Sequence, residues 1–407
     1  MDLLDDARLL QPDLARLREA LHRQPEVGLE LPRTQEQVLE ALRGLPLEVD
    51  TGTVTTSVTA VLRGTGPPGT GGTTATSGPH TVLLRGDMDA LPVAERSGEE
   101  FAATNGAMHA CGHDLHTAAL VGAARLLCAH RDRLAGDVVF MFQPGEEGWD
   151  GAGAMIREGV LDAAGRRADH AYALHVTSNR LPAGMVAGRP GVTLAASYAL
   201  DVTVHGLGGH SATPHEGRDP VVAAAEMIGA LQTMVTRTFD VFDPVVITVA
   251  VLRAGSRRNV LPDTAMFEAT VRAFAPDAEP RLREAITRCL TGVASAHGVE
   301  VDATLRAEYP TTVNDATEAE FATGVVREML GERWFYPLPN PVSASEDFSR
   351  VLARVPGVMF LLGACPPDAD PAGAPANHSP LARFDSSVLG SGAALLAGFA
   401  AERLAVE

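Results

Sequence analysis

Three short apolar runs, each delivering acidic or imidazole groups where it ends, constrain this chain more than any other feature. Residues 81–85 lead into Gly86-Asp87-Met88-Asp89, residues 137–142 into Gln143-Pro144-Gly145-Glu146-Glu147-Gly148, and residues 170–174 into His175. Valine, leucine and phenylalanine in runs of this length read as buried strands, and helical patterns lie between them. Buried strands linked by helices make an open α/β sheet, and such a sheet gathers its chemistry at the carboxyl ends of its strands.

The stretch Met108-His109-Ala110-Cys111-Gly112-His113-Asp114-Leu115-His116 holds three histidines, a cysteine and an aspartate. So many borderline and soft ligand types in one short run point to a metal site. Cys111 and His113 are two apart, so a helix would turn them about 200° from each other. They belong on a turn or an extended segment, where Gly112 lets the backbone bring both side chains to one ion. The alanine- and leucine-rich sequence after Asp114 reads as a helix leaving that site.

Glu146 and Glu147 diverge if their turn is extended, so one can hold a metal while the other reaches the water the metal activates. Asp87 and Asp89 suit either a sheet-end turn or an acceptor that fixes an imidazole tautomer. His175 and His378 are readable as ligands, as a satisfied core histidine and as an ordinary loop residue. His210 follows two glycines, on a loop from which a polar ring can swing toward a ligand.

Charge narrows the partners. The net charge of −18 argues against nucleic acid, which draws its affinity from basic patches. All 33 basic residues are arginine, so Schiff-base chemistry, a lysine general base and a P-loop lysine are excluded together. Gly66 to Thr73 resembles a phosphate-binding P-loop, but Gly72 stands at the lysine position and no helix pattern follows. The Gly/Thr insert 64–80 therefore reads as a hairpin loop. No run is expected to approach the roughly 20 apolar residues of a membrane span. The acidic start lacks the features of a signal peptide, and the four cysteines Cys111, Cys128, Cys289 and Cys365 form no close pair. A cytoplasmic protein without a membrane partner is expected.

The chain changes character near residue 191. Strand patterns over 197–205, 245–252, 264–273 and 300–308, with helical patterns over 220–237 and 279–297, predict an inserted α+β sandwich across 191–309. Residues 1–190 and 310–407 are expected to form one catalytic domain around it.

In these stretches the chain resembles the M20 metallopeptidase family, in its aminoacylase, hippurate hydrolase and auxin-conjugate hydrolase branch. The resemblance rests on Gly86-Asp87-Met88-Asp89-Ala90-Leu91-Pro92, His109-Ala110-Cys111-Gly112-His113-Asp114 and Pro144-Gly145-Glu146-Glu147-Gly148. It continues through Gly208-Gly209-His210-Ser211-Ala212, Asn259-Val260-Leu261-Pro262, Ser345-Glu346-Asp347-Phe348 and His378-Ser379-Pro380. It implies a zinc-peptidase-like α/β catalytic domain, with a mixed central sheet flanked by helices, and a lid that also mediates dimerisation. It further implies two divalent ions held by Cys111, His113, Glu147, His175 and His378, with Glu146 as the general acid/base, and Asp89 is taken with Glu146 and His210 as a catalytic residue. His210 would stabilise the reacting carbonyl, and Asn259 would bind substrate from the lid.

Physical chemistry is compatible with that assignment. Two cations about 3.5–4 Å apart can hold a water as hydroxide and polarise an amide carbonyl. A Cys111 thiolate favours zinc, manganese, cobalt or nickel over magnesium. Arg257 and Arg258 suit either a bidentate grip on a substrate carboxylate or a solvated hairpin. The expected activity is hydrolysis of a linear amide in an N-acyl amino acid by a cytoplasmic homodimer paired through the lid. The alternatives are a dipeptidase or carboxypeptidase of the same family, and a metal-binding scaffold without catalysis.

Overall fold

The computed structural model describes residues 1–67 and 80–406. Residues 68–79, which hold most of the Gly/Thr insert and of its P-loop-like stretch, lie outside the described residues. The chain divides into two compact units, one of Met1–Gly191, Val313–Asn340 and Arg350–Glu407, the other of Val192–Thr312 and Pro341–Ser349.

The first unit is built on a mixed eight-stranded sheet. Six of its strands come early: β1 (Leu47–Thr51), β2 (Val58–Leu62), β3 (Thr81–Asp87), β4 (Asp137–Gln143), β5 (His170–Pro182) and β6 (Val186–Gly188). The strands Phe335–Pro337 and Gly357–Cys365 complete it, in the order β1, β2, β4, β3, β5, Gly357–Cys365, β6, Phe335–Pro337. β4, β3, β5 and Gly357–Cys365 are mutually parallel, and β1, β2 and β6 bring the antiparallel pairings. The central strands carry apolar residues without alternation because helices cover both faces. Helices α1 (Leu3–His22), α2 (Pro32–Leu42) and α3 (His113–Ala129) share one core with Leu389–Val406.

Three details differ from the sequence reading. The segment 54–63 forms a strand only over Val58–Leu62, which pairs with the unanticipated β1. β5 does not stop at His175 but runs on to Pro182, because Gly357–Cys365 pairs along it. An apolar stretch of membrane-span length does exist, over Ser386–Ala405, but 78% of its window is buried inside the protein, as in a core helix.

The second unit has a four-stranded antiparallel sheet in the order Val245–Ala254, Thr264–Ala273, Ala196–His205, Glu300–Tyr309. Inward residues such as Val202, Val204, Phe267 and Val271 alternate with outward ones, and helices Pro220–Thr238 and Ala278–His297 share their core. Asp219 caps the first of these helices, accepting from the Val221 N–H at 2.8 Å. The architecture is the expected one: a mixed sheet flanked by helices, joined to a smaller α+β sandwich.

Candidate metal centre

Strand register assembles the site. β3 and β4 pair with Asp87 opposite Gln143, and Ala173 of β5 lies opposite Arg85, so two residues on His175 stands level with Asp87. Just past β3, Asp89 is fully buried, and its two carboxylate oxygens accept the N–H groups of Glu146 at 2.9 Å and Glu147 at 3.0 Å. Asp89 thus fixes the main chain of the adjacent glutamates, whose carboxylates both reach the neighbourhood of His113. Its Oδ1 also stands 3.5 Å from Nδ1 of His113, in keeping with an acceptor that orients that ring.

Cys111 lies on the turn expected for it, but His113 is the first residue of α3, so the helix starts earlier than the sequence reading placed it. Gly112 makes this possible: its φ of 81° is in the left-handed region, and a Cβ there would stand 2.4 Å from Cγ2 of Val176. The αL residue turns the chain sharply into the helix, which points both ligand side chains the same way.

Among the described residues of the first unit, four sets of ligand atoms each fall within 4.8 Å of one another: Cys111, His113 and His175; Cys111, Glu147 and His378; His113, Glu146 and Glu147; and Asp87, His113 and His116. The first two sets include all five expected ligands and have the Cys111 sulfur in common, so these are the residues that would hold the divalent ions. Sγ of Cys111 is 3.6 Å from Nε2 of His175, and Nε2 of His378 is 3.1 Å from Oε1 of Glu147. His378 takes a φ of 71°, strained for a residue with a side chain, and its N–H donates to the Ala110 carbonyl at 2.8 Å. That bond ties the loop bearing His378 to the Cys111 turn.

The donor set fits divalent cations. Neither ring nitrogen of buried His113 is in hydrogen-bond contact, a cost that an ion on one nitrogen with Asp89 accepting from the other would remove. Burial pushes the Cys111 thiol up, but the imidazoles of His175, His113 and His378 outweigh it and hold the group well below its usual value. Burial and the Cys111 charge raise Glu147, while hydrogen bonds to Cys111 and Glu147 raise His378 to about 10. Burial opposes charge on His113 as well, yet Asp87, Asp89 and Cys111 raise it well above its usual value. Imidazoles drawn toward protonation mark a pocket with surplus negative charge, which is what divalent ions neutralise. Glu146 is buried beside this set.

His210, Asn259, Arg257 and Arg258 belong to the second unit and are exposed there. The structure brings His210 and Asn259 together on a short antiparallel pair, Gly209–His210 with Val260–Leu261, where the Ser211 N–H donates to the Asn259 carbonyl at 3.4 Å. Nδ1 of His210 accepts the Ala212 N–H at 3.0 Å, so the neutral ring carries its proton on Nε2 and presents a donor.

Sequence reasoning assigned no role to Asn377 or His116. The Asn377 amide donates to the Val176 carbonyl at 3.0 Å and the Cys111 carbonyl at 3.3 Å, and stands 3.6 Å from Sγ. Its position directly before His378 was the only available signal. His116 lay inside the ligand cluster, where its type hid the difference between a ligand and a neighbour of ligands.

The family model described as peptidase family M20/M25/M40 matches residues 83–402. The chain is 33% identical to a thermostable carboxypeptidase of Saccharolobus solfataricus, the alignment covering 89% of this chain and 90% of that one. It is 35% identical to an IAA-amino acid hydrolase of Arabidopsis thaliana, over 96% of this chain and 85% of the relative. A crystal structure of a dinuclear metal-binding peptidase from Bacillus subtilis superposes with a TM-score of 0.81 at 26% identity, over 98% of this chain and all of that one. Shared motifs, shared fold and a two-ion ligand set agree: this chain belongs to peptidase family M20/M25/M40.

Proposed function

We propose that the protein is a two-metal amidohydrolase that releases an amino acid from an N-acyl conjugate. The observation that carries the reading is the convergence of Cys111, His113, Glu147, His175 and His378 around one shared sulfur, with Glu146 buried beside them. Divalent ions bound there lower the pKa of a water and polarise an amide carbonyl. Glu146, its main chain held by Asp89, takes the proton of the attacking water on a carboxylate oxygen and returns it to the leaving nitrogen. The thiolate selects zinc, manganese, cobalt or nickel. His210 is the proposed donor to the developing oxyanion, and Asn259, Arg257 and Arg258 are the proposed contacts for the rest of the substrate.

The test measures metal content and hydrolysis of N-acetyl, N-benzoyl and N-indoleacetyl amino acids in parallel. Glu146→Gln is expected to keep two ions per chain while kcat falls about 10²–10⁴-fold; undiminished turnover in that variant would sink the assignment. The carboxypeptidase relative supports a second reading, hydrolysis of peptides. Turnover of uncapped dipeptides above their N-acyl counterparts would move the function there. The proposal includes a cytoplasmic homodimer paired through the second unit, supported by exposed Val246 and Leu252 on the edge strand Val245–Ala254. Light scattering on the purified chain decides the dimer.

A further inference from the structure

His116 makes a third imidazole beside the ligands His113 and His175. Its ring stacks on His113 with centroids 5.3 Å apart and meets His175 edge-on at 4.7 Å. With Asp87 and His113 it lies close enough to hold an ion, but both of its nitrogens are already spent. Nδ1 donates to Oδ1 of Asp87, and Nε2 accepts the Val176 N–H at 2.7 Å. Asp87 is spent too, since its Oδ2 is 2.7 Å from the Arg85 guanidinium and its main-chain carbonyl accepts from Thr117 at 2.8 Å. An arginine and a cation do not share so small a carboxylate site without repulsion.

The far end of this chain of bonds is the Val176 peptide. While His116 holds its N–H, its carbonyl accepts from Nδ1 of His175 at 2.8 Å and from Asn377 at 3.0 Å. The bond to Nδ1 sets the His175 tautomer and leaves Nε2 facing Cys111. We propose that His116 is a positioning residue, held by Asp87, that grips the Val176 peptide and so fixes the direction in which His175 offers its ligand nitrogen. Gly86 supplies an independent sign of the same design. A Cβ there would meet the His116 carbonyl oxygen at 2.9 Å, so β3 and α3 approach at this residue as closely as glycine permits.

The inference rests on the two-metal reading, and cobalt titration of the whole chain, followed by thiolate-to-cobalt absorption and chelator competition, separates the two. Failure of the wild-type chain to bind cobalt would sink the two-metal reading and the inference with it. With His116→Phe, which keeps the ring's bulk and loses both hydrogen bonds, two ions are expected at saturation with an apparent Kd about 10–100-fold weaker. His116→Gln keeps an acceptor for the Val176 N–H, and its Kd should return to within about threefold of wild type. His116→Asn keeps only a donor toward Asp87 and should resemble His116→Phe. If His116→Phe does not fold, the Gln and Asn variants still decide, since equal affinities or the reverse order overturn the proposal. Wild-type affinity and spectrum in His116→Phe would reduce the residue to packing, and loss of one ion in all three variants would make it a ligand.

Discussion

A carboxylate 57 and 58 positions away, that of Asp89, takes the N–H groups of the two adjacent glutamates Glu146 and Glu147, to which the proposed function gives different roles. Asp89→Ala leaves these donors without an acceptor, and kcat is expected to fall about 100-fold while metal content falls less; parallel kinetics and metal analysis check the split. His210→Ala removes a donor whose proton is already assigned to Nε2, and is expected to lower kcat about 10²–10³-fold with little effect on bound metal. At this scale the sequence was legible as residue type and place. Cys111, His113, Glu146 and Glu147 stood out through chemistry and spacing, whereas His175 and His378 entered as expected ligands only through the family resemblance. The uses of Asn377 and His116, and the hold of Asp89 on two main-chain N–H groups, did not stand out, because each depends on a partner brought near only by the sheet.

Elements were legible where local pattern and tertiary pairing agree. β3, β4 and the helices of the second unit fall close to their expected bounds. β5 does not, since Thr177-Ser178-Asn179 carries turn-forming residues but lies along Gly357–Cys365 and is held as strand by it. The start of α3 was hidden for a related reason: a glycine before a helix reads as a break, whereas Gly112 is the residue that aims the helix. Gly112→Ala would strain the αL backbone and drive a methyl into Val176. A loss of about 2–4 kcal/mol is expected in urea unfolding, together with weaker metal binding.

Over the whole first unit, distant segments meet in a buried polar cluster behind the metal centre. Asp114 of α3 accepts from Arg18 and His22 of α1, each at 2.7 Å, and His22 reaches Glu95 at 3.0 Å. Burial pushes His22 down, but Asp114 and Glu95 prevail and raise it from 6.5 to about 9. A histidine whose folded value is raised stabilises fully below its unfolded value and loses that contribution as pH rises through the folded one. On the order of 3 kcal/mol should therefore disappear between pH 6.5 and 9. Urea unfolding at pH 6 and pH 9.5 should show that decline in the wild type and much less of it in His22→Leu; equal slopes would refute the assignment. Nothing in the sequence linked these residues, although the two-unit plan was visible in the change of pattern near residue 191. The Cys111 sulfur, common to two of the candidate ligand sets, also bears on the molecule's chemical durability. Peroxide that converts Cys111 to a sulfinic acid acts on one atom yet would alter both ligand sets to which that sulfur belongs. Inactivation by oxidant should then release ions in a ratio of about two per modified thiol, measurable with a colorimetric chelator, and reductant should not restore them.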